Sequence, residues 1–74
     1  MENVIKYFTD KGWEQSHSET ENGFIFEKWD DNELCIISTN AKGCQVASVR
    51  MNRAAVNSGV AGAVVLKLYE DLVK

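Results

Sequence analysis

The chain has 74 residues, with five glycines, no proline and two cysteines, which leaves room for one domain, residues 1–74, and no more. Hydrophobic residues make up 45% and charged residues 26%, a globular balance that excludes a disordered or low-complexity chain. The net charge of −3 is unevenly spread: Glu14, Glu19, Glu21, Glu27, Asp30, Asp31 and Glu33 face Lys28 alone, whereas 34–69 holds Lys42, Arg50, Arg53 and Lys67 and no acid.

Residues 3–11 place Val4, Ile5 and Phe8 at helical spacing, and Gly12 follows where a left-handed terminating residue is wanted. A strand over 13–18 comes next. Asn22-Gly23 reads as a two-residue hairpin turn, because both residues tolerate positive φ, and it leads into a strand over 24–29. Asp30-Asp31-Asn32-Glu33 reverses the chain into a strand over 34–39. Asn40-Ala41-Lys42-Gly43 has the pattern of a type I turn closed by a glycine bulge before a fourth strand over 44–51. Val60–Val73 is an amphipathic helix, with Val64, Val65, Leu68 and Leu72 on one side and Lys67, Glu70 and Asp71 on the other. Its start is open between a cap at Asn57 or Ser58 and a longer helix from Asn52 through Gly59.

The expected class is therefore α+β: a four-stranded antiparallel meander flanked by an N-terminal and a C-terminal helix packed on one face, in the order α-β-β-β-β-α. Read at face value, the turns pair Phe26 with Ile37 and Ile37 with Ala47. Alternation then puts Trp13, Phe24, Phe26, Cys35, Ile37, Ala47, Val49 and Met51 on a core face. Ile25, Trp29, Leu34, Ile36 and Arg50 fall on the second face, with Trp29, Leu34 and Arg50 in one cross-strand row. An aromatic and an arginine among aliphatics is the make-up of an interface hot spot, so these five are the expected partner-binding residues.

Chemistry is harder to place. The same register separates Cys35 from Cys44 by roughly 17 Å, too far for a disulfide. It sets His17, the single histidine, roughly 9–10 Å from Cys35, beyond a catalytic dyad. Asp30, Asp31 and Glu33 lack the alternation and central glycine of a calcium loop, so no metal, cofactor or catalytic residue is expected. The run 57–63 combines glycines with a helix start, the ingredients of an anion site, but matches no phosphate-binding motif.

The order of leading helix, meander and terminal helix resembles a double-stranded RNA-binding domain. That family's terminal helix begins with a lysine cluster, whereas no lysine lies between Lys42 and Lys67 here and the chain is acidic, so the likeness stops at element order.

The expected function is a non-enzymatic protein-interaction module: a self-associating homodimer, adaptor, chaperone-like partner or inhibitor. It is similar in kind to the small acidic inhibitors that phages and mobile elements use against host machinery. The first alternative is nucleic-acid binding by the basic half 34–69, with Lys42, Arg53 and Lys67 as contacts. The second is a small phosphate-ligand binder or enzyme. The longest apolar stretch, 59–66, is far short of the roughly 20 residues that span a bilayer, and the N-terminus lacks a signal-peptide layout, so a cytoplasmic chain with no membrane partner is expected.

Overall fold

The computed structural model describes residues 3–17 and 20–73. Helix α1 (Val4–Thr9) precedes strands β1 (Glu14–Gln15), β2 (Gly23–Asp30), β3 (Glu33–Asn40) and β4 (Gln45–Asn52), and helices α2 (Arg53–Asn57) and α3 (Val60–Val73) close the chain. The strands form one antiparallel sheet in the order β1-β2-β3-β4, so the α+β meander with terminal helices stands. The first strand is shorter than the expected 13–18, and Ser18 lies outside the described residues.

Local chemistry sets the boundaries. The Asn3 side chain caps α1 by accepting the Lys6 N–H at 3.1 Å, and Gly12 at φ +93° turns the chain out of it. Asp31 takes φ +62°, a conformation that aspartate tolerates, in the reversal between β2 and β3. In the next reversal the Asn40 Oδ1 accepts the N–H groups of Lys42 and Cys44 at 2.9 and 3.0 Å, while Gly43 sits at φ +87°. Asn52 caps α2 through the Ala55 N–H at 2.9 Å, and Gly59 at φ +91° separates α2 from α3. The C-terminal segment thus starts at the Asn52 cap but is interrupted at Gly59.

The Asn22-Gly23 turn is different from the one expected. Neither residue has positive φ; the Thr20 hydroxyl accepts the N–H groups of Asn22 and Gly23 instead, at 3.2 and 3.0 Å. Gly23 belongs to β2, where a Cβ would stand 1.8 Å from the Thr39 carbonyl oxygen. The glycine is required by the close approach of two backbones. The Asn22 side-chain amide donates to the Leu72 carbonyl and so ties this turn to α3.

The larger correction concerns β4. Phe26 pairs with Ile37 as expected, but Ile37 pairs with Ser48, not Ala47. Ser38 opposes Ala47 and Thr39 opposes Gln45, so Val46 is an extra residue, a β-bulge that shifts everything after it by one. One residue of shift exchanges the faces of β4. Ala47, Val49 and Met51 join Ile25, Leu34 and Ile36, and Arg50 moves to the side of Phe26 and Cys35.

The two helical ends consequently lie on opposite faces, where the sequence placed both on one. On the first face α2 and α3 cover Ile25, Leu34, Ile36 and Met51, which with Leu68 make the buried cluster. On the second face α1 lays Phe8 against Phe26, ring centroids 4.5 Å apart. Ile25, Leu34 and Ile36, expected in an exposed patch, are 2%, 4% and 0% exposed. They are core residues because the bulge completes an apolar face for α3 to bury, at roughly 1.5–3 kcal/mol per large aliphatic side chain. Among the described residues no helix is long and apolar enough to cross a membrane.

Gly23→Ala should destabilise the fold by roughly 1–3 kcal/mol, the cost of an overpacked site. A urea titration with an unchanged midpoint would contradict the close approach of β2 to β3.

Candidate protein-interaction surface

With α1 seated over Phe26, the half of the second face toward β4 is left open. Lys28, Cys35 and Arg50 form one cross-strand row there, and with Trp13, Ser48 and Gln45 they line a shallow depression of about 360 Å³. The row is pinned from both ends. The Lys28 ammonium donates to the Lys11 carbonyl at 3.0 Å and stands 5.7 Å from the Trp13 ring centroid. The Arg50 guanidinium bridges Glu33 at 2.8 Å and Asp30 at 3.2 Å, the two carboxylates that bracket the β2–β3 reversal. These are solvent-exposed pairs, each worth at most about 1 kcal/mol, and their main effect is to orient Arg50 and offset its charge.

Beside this surface runs the outer edge of β4. The sheet ends at β4, so the outward backbone N–H and C=O groups of an eight-residue strand have no neighbouring strand. The opposite edge, β1, is only two residues long. Val46, at the bulge, is 66% exposed.

The residues singled out in sequence are dispersed. Trp29 shares its row with Leu34 and Met51, not Arg50, and the Arg53 guanidinium stacks over its ring at 4.5 Å. Arg50 faces the opposite side of the sheet. Of the expected nucleic-acid contacts, Arg53 is engaged with Trp29, Lys67 pairs with Asp71 at 3.3 Å, and Lys42 sits in the β3–β4 turn. Arg50 cannot supply a cation to an anion at residues 57–63, because those residues lie in the helical layer on the other face. His17 stacks on Tyr69 of α3, ring centroids 3.9 Å apart, while Cys35 faces the open depression on the other side, so the two do not meet. Cys35 and Cys44 are both free thiols.

A second recess was not legible in the sequence. Ser16, His17 and Glu27 line a cleft of about 300 Å³ against Gly62, Val65 and Leu66 of α3. Glu14 lies directly opposite Glu27 across β1 and β2, a like-charge pair. Burial first, and the Glu14 charge second, push the Glu27 carboxyl above its ordinary 4.5. The three side chains bring a hydroxyl, an imidazole and a carboxylate together, but the buried Ser16 Oγ has no hydrogen-bond partner and so no base to activate it. Among the described residues no group of three or more histidine, cysteine or acidic side chains is arranged to hold a metal ion. The β1–β2 pairing that creates this cleft depends on the Thr20-built turn, which sequence spacing did not reveal.

A raised carboxyl pKa means that the folded chain holds the proton more tightly than the unfolded chain, so the ionised Glu27 lowers stability. The penalty is complete above the raised value and vanishes below about 4.5. Glu27→Gln should therefore raise the melting temperature at neutral pH, by the equivalent of about 0.5 kcal/mol, the scale for a half-buried carboxylate still screened by solvent. The gain should close as pH falls through that window. A variant less stable than the parent at neutral pH would contradict the uncompensated charge. No known protein family, curated protein or solved structure matches the chain.

Proposed function

We propose that the protein is a non-enzymatic protein-interaction module that takes up an extended partner segment along the outer edge of β4. The observation that carries this reading is the long free edge itself. Alternate residues of this eight-residue strand present unpaired backbone donors and acceptors, flanked on one face by the open Lys28–Cys35–Arg50 row. Strand addition satisfies such groups, and side chains on alternate faces select the partner.

The usual means of blunting an edge are weak here. The chain has no proline, β4 has no lysine, and its single charge, Arg50, is offset by Asp30 and Glu33. The bulge at Val46 confines regular pairing to residues 47–52. Trp29 and the aliphatics Ile25, Leu34 and Ile36 support this surface from beneath as core and rim, and the anchors of recognition become Ser48, Arg50 and the β4 backbone.

The test is affinity capture from the native host lysate with the parent chain and with Ser48→Lys, which adds a cation to the exposed edge. Ser48 is exposed, so the variant should melt within about 0.5 kcal/mol of the parent. Recovered partners should be lost on the substitution. Capture that is indifferent to Ser48→Lys would contradict recognition through β4.

A further inference from the structure

Resting on that reading, we infer that the segment received by β4 is the β4 of a second copy of this chain, paired antiparallel about a two-fold axis at Val49 to form one eight-stranded sheet. A two-fold axis perpendicular to the sheet makes the interface isologous and keeps faces in register: residues of the helix face of one copy oppose residues of the helix face of the other. Only registers that pair same-face residues satisfy this, so the axis must pass through a residue, not between two.

The bulge and the charges then select one register. An axis at Ser48 would bring the unpaired Val46 into the ladder opposite Arg50 of the partner copy, where the backbone is irregular. An axis at Arg50 would set two arginines, each already held by its own Asp30 and Glu33, directly opposite each other and crowd both ion-pair clusters into the centre of the seam. An axis at Val49 avoids both. It opposes Val49 with Val49 and Ala47 with Met51 on the helix face, apolar against apolar, and Ser48 with Arg50 on the open face, a hydroxyl against a guanidinium.

Each Arg50 already carries Asp30 and Glu33 of its own copy, so its opposition to Ser48 adds a donor beside an acceptor without bringing an unpaired charge to the seam. β4 is thus complementary to itself over residues 47–51, in the one of these registers that avoids both the bulge and the Arg50–Arg50 opposition. The helix α2 packs on β3 and β4, so both copies of α2 lie on the same face of the merged sheet, beside the seam.

Sedimentation velocity on the intact chain should show a concentration-dependent dimer, and Ser48→Lys, which faces Arg50 of the other copy twice, should weaken it by roughly tenfold. In a Cys35→Ser, Cys44→Ser background, Val49→Cys should form an intermolecular disulfide under mild oxidation. Facing Cβ atoms in such a pair stand about 5 Å apart. Ser48→Cys, offset from its own copy by two residues, should cross-link far more slowly. Hydrogen exchange on the unsubstituted chain gives a reading independent of either cysteine: the outward amides of Ser48 and Arg50 should slow as concentration rises.

A chain that stays monomeric, with β4 exchange independent of concentration, would overturn the inference, and so would a dimer that cross-links preferentially through position 48. Lysate capture sensitive to Ser48→Lys would survive a monomeric result, which separates failure of self-pairing from failure of edge recognition.

Discussion

One inserted residue, Val46, governs how this chain is assembled. By opposing two residues of β4 to one step of β3, the bulge rotates Ala47, Val49 and Met51 toward Ile25, Leu34 and Ile36 and turns Ser48 and Arg50 away. Without it, Arg50 would project into the layer that α2 and α3 cover, and Met51 would face water. A charge buried without a partner is far costlier than an exposed methionine, so the apolar pattern of β4 and the bulge select the same face. The helix layer, the open row and the free edge all follow from that choice.

The order of elements was legible because each signal is local. The Val4, Ile5, Phe8 spacing, the Asn40–Gly43 turn and the amphipathic run after Val60 each state their structure within a few residues. The β2–β3 register was also legible, because the short reversal at residues 31–32 leaves little freedom. The register of β4 was not, since the bulge lies inside the strand, three residues beyond Gly43, where the turn ends. A signal did exist: pairing Ile37 with Ser48 gathers Ala47, Val49 and Met51 with Ile25, Leu34 and Ile36 on a single apolar face, which simple counting from the turn splits between two.

That slip also misplaced the candidate site. Counting from the turn alone puts Trp29 and Arg50 in one row; the bulge sets them on opposite faces. Arg50 nonetheless joins the acidic and basic halves of the sequence, since its partners Asp30 and Glu33 end the acidic stretch. The charge asymmetry visible along the chain is thus partly folded away at the β2–β3 reversal. Two further acids of that stretch, Glu14 and Glu27, face each other across β1 and β2.

The most direct test of this account is the interstrand pattern of backbone nuclear Overhauser effects between β3 and β4. The bulged register requires cross-strand contacts that pair Cys35 with Arg50 and Ile36 with Val49. Contacts pairing Cys35 with Val49 and Ile37 with Ala47 would show a strand without the bulge. In that case the assignment of the faces, the open row and the Val49-centred edge would all fail together.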